Sequence, residues 1–450
     1  MEKGKKEADA QAVYDARPLG KSKMLILGFQ HMFAMFGATV LVPAITGLSV
    51  SATLLFAGLG TLLFHLLSKW KVPAFLGSSF AFLGGYAAVA PRLADGSPNP
   101  LLPYACFGVA CAGLVYVVLA ALFKSFGAKR VMRFFPPIVT GPIIICIGLT
   151  LSKTAIDSCT KSWPVALVAI VVVIIANIWG KGMLKIVPIL LAVVCSYAVG
   201  ALFGQADIDS IEAAAWIGLP LQWDTTAFSL FTSGTPIDQG ILLTAVLTIV
   251  PISLATIIEH IGDICAISST CGRNYIADPG LHRTLLGDGI ATSLAAMFGA
   301  PANTTYGENT GVLALTRVYD PRVVRIAAVV AVLFAFSPKF AAVISAMPTA
   351  TIGGVSLVLY GMISAVGVRN VIENRVDFTK SRNVIVAALI MVLAIGIANS
   401  EAKAITIGSV SLSGLAVAAI VGIGLNAALP GKDYEFSAGQ PGNTSVDFKV

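Results

Sequence analysis

Apolar residues follow one another along this chain in runs of about 17–25, the length a helix needs to cross a bilayer. Short polar clusters separate them. Fourteen such runs can be marked. The first half holds 24–48, 52–68, 73–92, 102–123, 131–152, 163–179 and 184–204. The second holds 239–269, 283–299, 302–318, 322–345, 350–374, 383–399 and 412–429. Residues 205–238 between them are polar and acidic. Residues 430–450 form a polar tail expected to be disordered. The pattern predicts an all-α polytopic membrane protein.

Two runs break the rule. Residues 301–316 read PANTTYGENTGVLALT: a proline, threonines and asparagines, then a short apolar helix from Gly311, with the carboxylate of Glu308 at the junction. Residues 72–83, VPAFLGSSFAFL, repeat the plan with Pro73, an extended-looking run and small residues opening a short helix. Irregular backbone at membrane depth is tolerated only where it is buried in protein or lines a cavity. A half-helix that starts there offers free N–H groups and a positive dipole end. Paired broken spans in corresponding halves point to a transporter's binding site. The competing reading is two kinked helices with no ligand. Each broken run is third of seven, so the second copy inserts upside down. That predicts two inverted repeats, with the broken spans meeting near the midplane.

Composition agrees: 56% of residues are hydrophobic and 12% charged, against about 25% charged in soluble domains. A net charge of +7 invites a nucleic-acid reading, which is rejected because the basic residues sit in short loops, where they report topology. With both termini in the cytoplasm, 25 of the 30 Lys and Arg fall inside and 5 outside, namely Arg92, Lys153, Lys161, Lys339 and Lys403. A miscount by one span would scramble that bias. Residues 1–23 lack the apolar core and cleavage site of a signal peptide. The seven cysteines show no CxxC or metal spacing and read as packing residues. No Ser-His-Asp pattern appears, so a membrane enzyme lacks its chemistry. A channel would not accumulate substrate.

Acidic residues inside spans cost roughly 2.5–3.5 kcal/mol each on insertion scales and are functional candidates by default. Glu259 and Asp263 are spaced i, i+4 on one face of the eighth span, and Glu308 opens the half-helix of the tenth. Asp288, near a loop, reads as structural, as does His260. His31 in the first span could bond, with Gln30, into the broken segments, though a packed histidine is the simpler reading. Three carboxylates in one poorly solvated cavity cannot all ionise cheaply, and their titrations couple. Such a cluster takes up a proton near neutral pH. It could equally hold Na⁺ through oxygen ligands. Carboxylates accept N–H bonds, half-helix amides donate to carbonyls, and Phe80 and Tyr306 offer ring faces. Together they describe a site for a nucleobase.

The stretches 304–319, 30–43, 75–82, 259–262 and 278–283 resemble the nucleobase–ascorbate (nucleobase:cation symporter-2) family on its bacterial uracil permease branch, a likeness running from about 24 to 429. The resemblance implies a core domain (24–123 and 239–345), a gate domain (131–204 and 350–429), an external loop (205–238) and cytoplasmic tails (1–23 and 430–450). It implies a short strand in each broken span, the two pairing antiparallel. It implies proton-coupled uracil uptake in a bacterial inner membrane and a homodimer, with no cofactor. Carried over, Glu259 and Glu308 would contact uracil, Gly307 would supply an N–H, Phe80 would line the pocket and Tyr360 would lie at its edge. Where such permeases usually have a coupling histidine this chain has Asp263, which leaves H⁺ or Na⁺ open. Purine and urate members tend to have glutamine where Glu308 stands. A xanthine or urate permease, or an anion transporter of the same architecture, is the alternative.

Overall fold

The structure is a computed structural model that describes residues 12–93, 97–127, 136–232, 234, 236–402, 404–407 and 410–431. The first half runs through α1 (Lys21–Thr46), α2 (Val50–Leu67), β1 (Leu76–Ser78), α3 (Leu83–Val89), α4 (Leu102–Phe126), α5 (Pro137–Cys159), α6 (Trp163–Ile178) and α7 (Pro188–Leu202). The second runs through α8 (Gln239–Ile249), α9 (Ile252–Cys271), α10 (Leu281–Met297), β2 (Asn303–Thr305), α11 (Gly307–Thr316), α12 (Pro321–Ala335), α13 (Pro338–Ser345), α14 (Thr349–Glu373) and α15 (Ser381–Asn399). It closes with the hairpin β3 (Ala404–Ile407) and β4 (Val410–Ser413), then α16 (Gly414–Ala428).

The helices start and stop where local chemistry dictates. Ser49, Asp238, Asp320 and Ser413 cap α2, α8, α12 and α16 by accepting first-turn backbone N–H bonds, groups that otherwise have no partner. Proline, which lacks the N–H that goes unused at a first turn, opens α5, α7, α12 and α13. Left-handed Gly47 and Gly272 end α1 and α9.

Seven helices among the described residues are long and apolar enough to cross a membrane, counting α8–α9 as one, and α12–α13 together make an eighth. The remaining expected spans coincide with the shorter α6, α7, α10 and α16 and with the two strand–helix segments. α6 turns Leu167, Val171, Ile174 and Ile178 outward. A stripe of that size left exposed marks a surface that meets lipid. The chain is a multi-pass membrane protein.

Two large apolar clusters make the interior. One is built chiefly on α1, α2 and α12, the other on α3, α4, α5, α8, α15 and α16. Helix pairs approach closely through small residues, as membrane helices do. On α4 and α10, a Cβ at Gly113 would lie 2.7 Å from the carbonyl of Gly289, and one at Gly289 would lie 2.7 Å from that of Gly113.

Four expectations change. The run 322–345 is not one helix: α12 and α13 meet at 88°. Pro338 lacks an N–H and pushes Ser337 out of the α region, and Ser337 recaps the chain through Phe340. The run 131–152 is displaced, since α5 reaches Cys159, while 131–135 lie outside the described residues. The loop 205–238 contains short helices at Ile208–Ala213 and Ser229–Thr232. The hairpin at 404–413 was not expected. Of the tails, residues 1–11 and 432–450 lie outside the described residues, as do Lys129, Arg130, Arg133 and Lys403 of the charge count. Residues 12–20 dock on the protein: Val13 bridges Val318, and the Ala16 N–H donates to Asp320 Oδ2 at 2.7 Å.

Candidate functional site: the crossing of the broken spans

The two broken spans meet as the antiparallel pair β1–β2, in the register Leu76↔Thr305, Gly77↔Thr304, Ser78↔Asn303. Every residue of both strands is buried, so each backbone polar group must find a protein partner. The pair is extended by Tyr306 N–H to the Phe75 carbonyl at 3.0 Å and Ser79 N–H to the Ala302 carbonyl at 2.8 Å. Flanking helices complete it. Thr61 on α2 accepts the Leu76 N–H at 2.9 Å, and Thr292 on α10 donates to the Asn303 carbonyl at 3.0 Å. The Asn303 side chain donates to the Phe56 carbonyl at 3.2 Å. Gly77 is required by close approach, because a Cβ there would lie 2.5 Å from the Tyr306 ring and 2.7 Å from Thr39 Oγ1.

Both strands lead into half-helices, β1 to α3 and β2 to α11. Glu308 lies in the first turn of α11. Glu259 and Asp263 project from α9, and Thr305 of β2 donates to Asp263 Oδ2 at 2.8 Å, joining that helix to the strand crossing. Asp263 is thereby joined to the strand that leads into α11, whose first turn holds Glu308, and Glu259 stands one turn before Asp263 on α9. Glu259 is exposed although it lies mid-span, and it accepts no hydrogen bond from a described residue. Open space lies alongside: a Cβ added at Gly262, Gly307 or Gly311 would meet nothing within 4 Å. Gly307, the first residue of α11, is exposed and brings no side chain to that space.

The other expected residues fall on either side of this opening. Phe80, half-buried between β1 and α3, packs on the cluster that holds Tyr360, Val42, Leu83 and Leu151. Tyr360 is 2% exposed and backs Phe80 from α14. Tyr306 differs from expectation. Its ring is 4% exposed, pressed against Gly77, and its hydroxyl donates to the Ser78 carbonyl at 2.8 Å and accepts from Thr39 at 3.3 Å. It offers no ring face to the opening. His31, 1% exposed, is tied to the second broken span by Asn309, whose amide donates to His31 Nδ1 at 3.2 Å and to its carbonyl at 2.9 Å.

Three residues gain weight beyond the sequence reading. Asn309 clamps α1 to α11, one position from Glu308. Thr305 holds Asp263. Asp288 of α10 is fully buried, with its Oδ2 2.9 Å from His260 Nδ1 on α9. From the sequence, Asp288 is weighed as an acidic residue inside a span and set aside as structural. Behind this pair, Tyr116 of α4 donates to Thr256 of α9. No group of three or more His, Cys, Asp or Glu with the geometry to hold a metal occurs among the described residues.

Comparison with known proteins follows the same lines. The sequence model described as "Permease family" (Xan_ur_permease) matches residues 22–403. The uracil permease of Bacillus caldolyticus is 41% identical over 417 residues, spanning 91% of this chain and 92% of its own. The uracil permeases of Bacillus subtilis and Escherichia coli K12 are 38% and 37% identical over 89% of this chain, and over 91% and 90% of theirs. Among solved structures, the transmembrane domain of the cyanobacterial bicarbonate transporter BicA superposes with a TM-score of 0.55 at 16% identity, covering 90% of this chain and 97% of that one. SLC26A9 superposes at 0.59 with 11% identity, covering 92% and 66%. Those two likenesses speak for the fold alone.

Proposed function

The chain belongs to the Permease family, and from that membership and its carboxylate cluster we propose that it carries uracil into the cell in symport with protons. The observation that carries the proposal is the opening at the strand crossing, which lies beside the start of α11, where Gly307 and Glu308 sit, and the face of α9 that carries Glu259 and Gly262. Uracil presents alternating N–H and C=O groups on a flat ring. Glu259 and Glu308 accept its N–H groups, the first N–H groups of α11 donate to a carbonyl, and Phe80 packs on its face with Tyr360 behind. A site that matches donors and acceptors in this way rejects rings with a different pattern, because each unmatched buried group is costly. The names of the relatives at 37–41% identity support the same substrate.

Coupling rests on Asp263 and Glu259, with His31 as a positioning group held by Asn309. Three interacting carboxylates share protons, so loading the site with substrate and loading it with a proton are linked. Asp263, which accepts from Thr305 on β2, ties its charge state to the strand crossing. The same oxygens could take Na⁺, and that is the outcome to test against. No cofactor is needed.

The surrounding architecture belongs to the proposal. Fourteen spans form two inverted repeats in a bacterial inner membrane, with both termini cytoplasmic, as the distribution of Lys and Arg favours. The core is 24–123 with 239–345, and the gate is 131–204 with 350–429. The extensive packing of α5 against α14, and of α4 and α2 against α10, supports that division. The core rocks against the gate, and the protein works as a homodimer. Uptake of labelled uracil by cells or vesicles is the test, with xanthine as competitor. We expect uracil to compete and xanthine not to, and accumulation to stop when an uncoupler collapses the proton gradient. A carrier indifferent to uracil ends the reading. Uptake that survives the uncoupler and follows Na⁺ replaces the ion.

A further inference from the structure

We propose that the face carrying the N-terminal segment holds a binding site for a phosphate-bearing anion, in a cleft that joins the ends of both broken spans. The cleft is a cavity of about 450 Å³. Lys71, Arg273, Arg322 and Arg325 converge on it, together with the rings of Tyr14 and Trp70. The single carboxylate lining it, Asp320, is already engaged: it accepts from the Ala16 N–H at 2.7 Å, the Arg322 N–H at 2.9 Å and Arg322 Nη1 at 3.1 Å.

The four cations are not equivalent. Lys71 is paired with Asp278, and Arg322 with Asp15 and Asp320. Arg273 and Arg325 form no ion pair with a carboxylate among the described residues. Each lies instead over a ring: Arg273 is 4.1 Å from the centroid of Tyr14, and Arg325 4.9 Å from that of Trp70. A guanidinium laid on an aromatic face is held flat. Its N–H donors point outward in a planar fork, the arrangement that grips two oxygens of a phosphate.

The backbone contributes a second, independent observation. Lys69 and Trp70 are consecutive non-glycine residues in the left-handed region, at φ 57° and 59°. A non-glycine residue in this region persists only where its surroundings enforce it. Here the turn is closed by the Trp70 N–H on the His65 carbonyl at 2.6 Å, and it sets the Trp70 ring, 46% exposed, beneath Arg325. The bias of Lys and Arg towards one side of a membrane protein explains why basic residues occupy this face. It does not explain two unpaired guanidiniums each seated on a ring around one cavity.

The position gives the site its consequence. Trp70 and Lys71 lead through Val72 into β1. Arg273 follows α9, which carries Glu259 and Asp263. Asp320, Arg322 and Arg325 lie just beyond α11. An anion bound across the cleft ties together the start of the first broken span, the end of the second and the end of α9. The inference stands whether or not uracil is the cargo. Its ligand is the phosphate group, carried either by an anionic lipid headgroup or by a soluble phosphate.

Native mass spectrometry of the purified full-length chain tests it, by titration with phosphatidylglycerol, phosphatidylcholine and inorganic phosphate. We expect phosphatidylglycerol to bind more tightly than phosphatidylcholine. The R273Q/R325Q variant should lose about 100-fold in that affinity, roughly tenfold for each charged contact removed. The circular dichroism spectrum and unfolding temperature of the same samples should stay unchanged and report that the variant is folded. Displacement of the lipid by millimolar phosphate assigns the site to soluble anions, and resistance assigns it to headgroups; either supports the proposal. Should the glutamine variant fail to fold, R273K/R325K serves, with an expected loss of about tenfold because an ammonium cannot make the bidentate contact. Wild-type affinity in either variant overturns the proposal, as does failure of the wild type to prefer phosphatidylglycerol over phosphatidylcholine while also binding no phosphate.

Discussion

The two broken spans share a backbone plan and divide the chemistry. In the first, β1 and α3 carry no acidic or basic side chain between Leu76 and Val89. Its contribution is the half-buried Phe80 and a strand braced by Thr61 and by Ser78, whose hydroxyl donates to the Thr39 carbonyl at 2.9 Å. In the second, β2 and α11 carry Thr305, Glu308 and Asn309. Thr305 reaches Asp263 and Asn309 reaches His31, while Glu308 places a carboxylate in the first turn of α11. One span supplies a wall and the other supplies charge. A buried charge is costly on both spans, so gathering all of them on one side concentrates that cost where the partners on α9 and α1 can share it.

If that division holds, the largest loss comes from the charged span. Glu308→Gln replaces an acceptor by a donor where uracil presents an N–H, and should weaken uracil binding about 100-fold, the equivalent of one charged hydrogen bond. Unchanged affinity by equilibrium binding would remove Glu308 from the site and erase the asymmetry. The next effect is structural and touches both spans at once. Gly77→Ala drives a methyl group into the Tyr306 ring and Thr39, and should destabilise the protein by about 1–3 kcal/mol, read as a lowered unfolding temperature with uracil present and absent alike. A variant as stable as wild type would mean that the two spans do not press together at that point.

Asp263→Asn sharpens the comparison in a different way. The amide keeps an oxygen to accept from Thr305 but can no longer take up a proton. Uracil affinity at the optimum should stay within about threefold, while the pH dependence of uptake changes. An identical pH profile would separate Asp263 from coupling and leave that work to Glu259.

Much of this was legible before any coordinates. Pro73 and Pro301, with the polar residues that follow each, announce the two interruptions because such segments cannot lie against lipid. The i, i+4 spacing of Glu259 and Asp263 places both on one side of a helix. What escaped depends on tertiary contact or on side-chain direction. Successive side chains along an extended strand point to opposite sides. Thr305 faces Asp263, so Tyr306 must face away, towards Thr39 and Ser78, and no pattern of ring faces could reveal that. The clamp between His31 and Asn309 joins residues 278 positions apart. The right-angled turn at Ser337–Pro338 was visible as a dipeptide but hidden inside a long apolar run. The hairpin at 404–413 alternates too briefly to stand out from a loop.

The smallest expected effect tests the quieter span. Phe80 contributes area and a ring face rather than a charge, and Tyr360 behind it remains in Phe80→Leu. An aromatic contact is worth about 0.5–1.5 kcal/mol beyond its buried area, so the variant should bind uracil about three- to tenfold more weakly. Because no carboxylate has changed, the pH dependence of uptake should match wild type, and this separates the wall from the charge. A Phe80→Leu variant with an altered pH profile would show the two spans to be electrically linked through the crossing, since Gly77 and Tyr306 are the contact by which a shifted β1 would reach Thr305 and, through it, Asp263.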